Sequence, residues 1–244
     1  MKKSVRRAGV FPLLLLLPML VHAQAIDTNR PGFSFSPNTV AKGTWQLETG
    51  LDFTKNSSNS ESTSLPAAEI RWGVAEQIEV FASGINWTEN DNDGNSSSGF
   101  TDINVGTKLA VTGADATTRM AFLFQLSVPV GEDGFSSDRW DPTAAFIWSH
   151  EGGFPIAGTV KVSKFRSGFQ LDNGLKLPFA INDRHSAFAE WEANLPEDGG
   201  STHWLNGGWQ FLIADEMQLD VNAGVGLNDR AGDYRLGIGF SYRF

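Results

Sequence analysis

From Asp233 to Phe244 every even position is apolar or aromatic: Tyr234, Leu236, Ile238, Phe240, Tyr242 and Phe244. The odd positions are Asp233, Arg235, Gly237, Gly239, Ser241 and Arg243. A period of two means a β-strand with one greasy and one polar face. Strands of soluble sandwiches usually stop after about five or six residues, whereas crossing a bilayer at a tilt takes about nine to eleven. This stretch is long enough to cross, so the remaining sequence is tested against a membrane-spanning barrel.

At the amino end, Lys2, Lys3, Arg6 and Arg7 precede an apolar run over residues 10–21, and Ala23-Gln24-Ala25 supplies small residues for cleavage. This is the pattern of a secretory signal peptide, residues 1–25, too short and too rich in proline for a spanning helix. Its removal takes four of the 19 basic residues and none of the 28 acidic ones, leaving a net charge of −13. So acidic a chain has no basic stripe and argues against a nucleic-acid partner. The chain contains no cysteine. An exported protein without disulfides must draw its stability from strand closure and burial.

Residues 26–43 are broken by Pro31 and Pro37 and keep no period, which predicts an irregular leader. Residues 44–244 then break into segments that alternate in hydropathy: 44–53, 64–72, 77–87, 100–111, 117–128, 139–149, 156–166, 169–179, 186–195, 202–212, 217–227 and 233–244. Polar loops at 55–64, 88–98 and 129–138 alternate with short turns. The expected fold is all-β: a transmembrane antiparallel up-and-down β-barrel of about twelve strands, of bacterial outer-membrane type. A strand of about ten residues at ~3.3 Å rise and ~40° tilt spans roughly 25 Å, the height of the apolar band in such barrels.

Alternation alone leaves the apolar face free to point either way, since soluble ligand-binding barrels alternate too. The aromatic residues decide. Trp45, Trp72, Trp148, Phe179, Phe211, Tyr242 and Phe244 gather at one end of the strands, and Phe53, Phe100, Trp140, Phe169 and Tyr234 at the other. Two such girdles suit two membrane interfaces. The opposite face then lines the lumen with Glu48, Asp52, Glu69, Arg71, Asp102, Lys108, Asp141, Lys161, Asp172, Lys176, Glu190, Glu192, Asp220, Asp233, Arg235 and Arg243. Their acidic excess predicts a path that favours cations or neutral solutes over anions.

The segments Asp27-Thr-Asn-Arg-Pro-Gly-Phe33, Ser36-Pro37, Val40, Gly43 and Gln46-Leu-Glu-Thr-Gly50, with the late stretches 219–229 and 237–244, resemble a family of outer-membrane transporters of the "MetA-pathway of phenol degradation" kind. Some of its members are associated with the degradation of phenol or other aromatics. The resemblance implies a barrel and passage of small molecules, and it carries over no binding residue. The aromatic ending at Tyr242 and Phe244 resembles the signal that the β-barrel assembly machinery reads. Outer-membrane lipid, lipopolysaccharide and an unidentified small solute are the other partners expected. Arg30 and the Pro31-Gly32 turn could fold the leader into the acidic lumen as a plug; a tether on the periplasmic side is the alternative.

Other chemistry is thinly represented, and no enzyme, cofactor or metal is expected. Ser201-Thr202-His203 places two potential catalytic groups near the outer rim, the position for a lipid-modifying enzyme of the phospholipase or acyltransferase type. A third, orienting group is not evident, and the His-x-Ser order of outer-membrane phospholipases is missing. Asp91-Asn-Asp-Gly94 echoes a calcium loop, but Phe100 stands where its closing glutamate belongs. The Gly-x-Gly pairs at 224/226 and 237/239 lie inside strands, so they are spacing residues and not a nucleotide-binding turn. A purely structural barrel stays open as a third class.

Overall fold

The computed structural model describes residues 25–244; the expected signal peptide lies outside the described residues except for Ala25. Among them the strands are β1 (Trp45–Ser57), β2 (Ser60–Ala75), β3 (Ile78–Asn92), β4 (Asn95–Phe100), β5 (Ile103–Ala110), β6 (Thr118–Val128), β7 (Asp141–His150), β8 (Ile156–Phe165), β9 (Gly168–Ala180), β10 (His185–Pro196), β11 (Thr202–Ala214), β12 (Met217–Gly226) and β13 (Tyr234–Arg243). Each pairs antiparallel with its chain neighbour around the wall, β3 meeting β5 directly. The last strand returns to the first, with ten paired positions from Gln46↔Arg243 to Lys55↔Tyr234. Closure leaves no edge at membrane depth, as a bilayer demands. β4 pairs only with β3 and runs in line with β5 across Thr101 and Asp102, so the wall is a closed barrel of twelve staves.

Two of the three stretches expected to be loops are not loops. Residues 55–64 and 88–98 are hairpin arms that carry β1, β2, β3 and β4 beyond the rest of the wall. Asp93 and Gly94 turn the second hairpin with φ of 55° and 78°, both in the left-handed region that a two-residue hairpin turn requires. The Asp-Gly pair signals such a turn. The arms hide it because they stand in water on both faces and so have no reason to alternate.

The wall is oily outside and polar within. Outward residues such as Leu51, Phe122, Phe124, Leu205, Val221, Leu236 and Ile238 are exposed, while Gln46, Glu48, Arg71, Glu79, Lys108, Glu190 and Asp220 are buried. Trp45 and Trp72 stack at 5.3 Å and Tyr242 and Phe244 at 5.7 Å at one rim. Trp87 and Phe100 meet edge-on at 5.0 Å towards the other. The lumen is not wholly polar. Phe81, Ala121, Leu123, Ala145 and Ile147 form an apolar patch on the inner wall, against which Phe35 of the leader packs.

Ile238 sits in the middle of the last strand, between Leu51 and Val221, and is 55 % exposed. Ile238→Lys should lower the unfolding free energy of the barrel in lipid by about 2–4 kcal/mol, because a cation on the lipid face near the midplane costs that much. Asn222→Lys, facing the lumen one strand away, should cost less than half as much. Denaturant titration of both variants in lipid vesicles measures the difference.

Candidate functional site

The leader runs inside the barrel. With two prolines and no period it adds no strand to the wall; its ends touch the wall through main-chain groups, Ile26 N to Asp215 O at 2.6 Å and a single bridge of Lys42 with Gly73, and between them backbone amides take side-chain partners. Glu48 accepts from the amides of Asn29 (3.1 Å) and Arg30 (2.9 Å). Glu190 accepts from Phe33 (2.8 Å) and Ser34 (2.7 Å), and Glu79 from Val40 (2.8 Å). The Phe35 amide donates to Thr159 Oγ1 at 3.1 Å. The leader's carbonyls face cations: Lys176 donates to Ser34 O (2.7 Å), Lys108 to Ser36 O (2.9 Å) and Arg71 to Asp27 O (3.1 Å).

Three charged groups of the wall do most of this holding. The first surrounds Arg71, which forks onto Glu79 with bonds of 3.0 and 2.9 Å and reaches Glu48 at 2.8 Å and Glu69 at 3.7 Å. Lys108 approaches Glu79 at 3.2 Å. The second pairs Lys176 with Glu190 at 4.0 Å. In the third, Arg30 of the leader lies between Asp52 (3.2 Å) and Asp220 (3.6 Å). Asp220 is fully buried and accepts no hydrogen bond, so Arg30 is the charge that balances it. Aromatic contacts add to these, since Lys161 Nζ lies 3.9 Å from the ring centre of Phe33 and 5.5 Å from that of Phe35. Gly32 turns the leader at φ +109°, where a side chain would also run into Glu190 Oε2.

The remaining residues expected in the lumen spread over its height. Arg235 pairs with Glu192, bonds Asn206 at 2.8 Å and lies over Trp204, towards the outer mouth. Asp172 accepts from Gln170 and Asn194, and Asp141 pairs with Arg139 at 2.8 Å. Two sit elsewhere than expected. Asp102 lies in the break between β4 and β5, where it accepts the amides of Gly131 and Ser137 and ties the 129–138 loop to the wall. Asp233 precedes β13 and is exposed, its amide bonded to Lys55 O at the outer rim. Arg243 borders the lumen at its opposite end, its amide bonded to Glu216 O and its guanidinium 3.5 Å from Asp215 O.

Glu79, central to the first group, is missing from the expected set. The blurred alternation of β3 conceals which face it occupies, although its position opposite Lys108 in the ladder identifies it. The leader divides the lumen into spaces at either end. Arg30, Pro31 and Phe33 floor a cavity of about 330 Å³ that also touches Asp52, Glu192 and Arg235. At the other end, Asp27, Asn38 and Val40 border one of about 500 Å³.

The two candidate chemistries at the outer side resolve differently. Ser201 Oγ lies 3.0 Å from His203 Nε2, and the His203 ring stacks on Trp191 at 5.8 Å. Asp91 serves its own hairpin, accepting from the Gly94 amide at 3.0 Å and Ser96 Oγ at 3.1 Å.

Comparison with known proteins agrees with this architecture. The COG4313 outer membrane channel from Pseudomonas putida F1 superposes with a TM-score of 0.69 at 11% identity, over 88% of this chain and 100% of that one. The KdgM porin superposes with a TM-score of 0.54 at 10% identity, over 82% and 99%. The translocator domain of the autotransporter NalP from Neisseria meningitidis reaches 0.51 at 11% identity, over 84% and 90%. At such identities the likeness is one of fold. No curated sequence matches the chain. The model of the family described as "Putative MetA-pathway of phenol degradation" matches residues 28–244, leader and barrel together, and the chain belongs to that family.

Proposed function

We propose that this protein is an outer-membrane channel for small solutes, hydrophobic or aromatic compounds among them, and that the leader is its gate. The observation that carries the proposal is the way the leader is held inside the lumen: by hydrogen bonds from its backbone to charged side chains, with strand-type pairing to the wall confined to a single bridge, Lys42 with Gly73, where the leader meets β1. A bond from an amide to a charged group is worth about 1.5–3 kcal/mol, and fixing a residue's backbone costs about 1–2 kcal/mol. The two are of the same order, so docking is reversible in a way that the ladder of the wall is not. The family's association with phenol degradation and the likeness in fold to an outer membrane channel of P. putida support the reading.

In this scheme lipid and lipopolysaccharide meet the apolar band, and the assembly machinery reads Tyr242 and Phe244. The path uses no covalent chemistry. Ser201 and His203 favour a second reading, lipid hydrolysis at the outer rim, because their side chains lie within bonding distance. Loss of lipase activity in Ser201→Ala would establish that reading in place of transport; a protein without such activity leaves the channel.

Deleting residues 26–43 should raise single-channel conductance in planar bilayers several-fold. Unchanged conductance would remove the gate. The same deletion strips amide donors from Glu48, Glu79 and Glu190 and takes Arg30 away from Asp52 and Asp220. Reversal potentials in a salt gradient should therefore show cation preference in the parent protein and a stronger one in the deletion. Anion preference in either would contradict the acidic-lumen argument.

A further inference from the structure

The outward face of the wall keeps few polar side chains between its aromatic girdles. Thr49 Oγ1 donates to Pro66 O at 2.7 Å and Thr107 Oγ1 to Glu79 O at 2.9 Å, so both are satisfied by backbone of the wall. Asn173 is not. Its neighbours in β9 fix its direction: a side chain at Gly174 would run into Phe33 inside the lumen, whereas Leu171 and Leu175 are exposed. The carboxamide of Asn173 therefore faces lipid, and it makes no side-chain hydrogen bond among the described residues. An amide left in hydrocarbon without a partner is costly, so its partner must come from outside the protein.

A second polar group lies level with it. The ladder sets Asn173 beside Ala193 and Ala193 beside His203, which places the two polar side chains two strands apart, about 10 Å. His203 points outward, because the next residue, Trp204, is buried in the lumen beneath Arg235. Its ring stacks on Trp191 at 5.8 Å and meets Ser201 Oγ at 3.0 Å. Ala193 between them also faces out yet has no exposed surface, so its neighbours close over it.

Above these stands a cation. Lys164 is outward on β8, two residues beyond exposed Val162, and pairs in the ladder with Phe169, its Nζ lying 4.3 Å from the centre of that ring. Lys55 binds Glu61 at 2.8 Å, but Lys164 meets no carboxylate among the described residues. Exposed Arg166 follows in the turn to β9, and it too has none there. The carboxylate of Glu197 is taken by the Phe169 amide at 2.8 Å. Phe169 stands four residues above Asn173 on the same face, about 10 Å along the membrane normal at ~3.3 Å rise and ~40° tilt.

We infer that the outer face of β8 to β11 is a binding site for lipopolysaccharide, with a phosphate at Lys164 and Arg166 and the polar atoms of the acyl chains at Asn173 and His203. Depth selects this lipid. A glycerophospholipid carries its last polar atoms at the glycerol esters, near the girdle, and offers only methylenes below them. The chains of lipopolysaccharide carry hydroxyls and branching esters a few carbons further in, where a carboxamide donates to the ester carbonyl and accepts from the hydroxyl. Charge selects it too, since a phosphate meets two cations that no carboxylate of the wall has neutralised. Ser201 and His203 here hold lipid without hydrolysing it, and what the lumen passes has no bearing on the site.

The barrel with its leader, in a non-denaturing detergent, is titrated with bis-phosphorylated lipid A, with dephosphorylated lipid A and with phosphatidylglycerol, and occupancy is read by native mass spectrometry. Bis-phosphorylated lipid A should bind several-fold more tightly than phosphatidylglycerol. Asn173→Leu should weaken lipid A several-fold and leave phosphatidylglycerol as it was, while Lys164→Gln should weaken the bis-phosphorylated form and not the dephosphorylated one. Denaturant titration in vesicles gives an independent reading. Asn173→Leu should outlast the parent in phosphatidylglycerol, because leucine suits hydrocarbon, and lose that advantage with lipopolysaccharide in the outer leaflet. Equal affinity for lipid A and phosphatidylglycerol would reduce the face to a general anionic-lipid surface and overturn the site. So would lipid A binding indifferent to Asn173→Leu, or a dimer in the spectrum that Asn173→Leu abolishes, since the carboxamide would then serve a second copy of the chain.

Discussion

Hydrocarbon offers a backbone amide nothing to bond, and each group left unsatisfied there costs several kcal/mol. A sheet answers this only by closing, so the pairing of β13 with β1 is the contact on which the others rely. Once the ladder closes, strand geometry sends alternate side chains to opposite surroundings. The apolar set meets lipid, and the charged set is confined to a narrow interior. The inversion of an ordinary soluble fold thus follows from closure in a solvent without hydrogen bonds.

Confinement creates the next demand. Buried charges are tolerated when paired and hydrogen-bonded, and an unpartnered one is costly. Arg71 meets this within the wall, binding Glu48 and Glu79, whereas Asp220 does not. The leader supplies what the wall lacks: amides for Glu48, Glu79 and Glu190, carbonyls for Lys108 and Lys176, and the Arg30 guanidinium for Asp220. A segment without secondary structure suits this role because its backbone groups are not already committed to one another.

Much of this architecture is legible in the residues. The strict alternation of 217–227 and 233–244 survives because each residue meets either lipid or lumen, and the observed strands there differ from the sequence reading only at their ends. Legibility fails where a third environment enters. The outer hairpin arms are wet on both faces and read as loops. Around Pro66 and Gly84 extra residues shift the register, so period two breaks and Glu79 escapes notice. The inner patch of Leu123 and Ile147 reads as a lapse in polarity until Phe35, more than eighty residues earlier, is seen to pack on it. The leader's partners are the least legible, because backbone amides leave no trace in side-chain pattern.

The covalent join between leader and wall has a consequence of its own. Gly43 N bonds Gly73 O at 2.7 Å and Thr44 N bonds Ala41 O at 3.1 Å, so the segment is anchored at the base of β1 as it enters the lumen. It is an intramolecular ligand, and short flexible linkage gives such ligands effective concentrations in the millimolar range. Its occupancy is therefore set by the chain itself, indifferent to how many copies the cell makes. Any competitor for Glu48 or Glu190 must match that fixed local excess, and the vacated seat is refilled whenever the competitor departs.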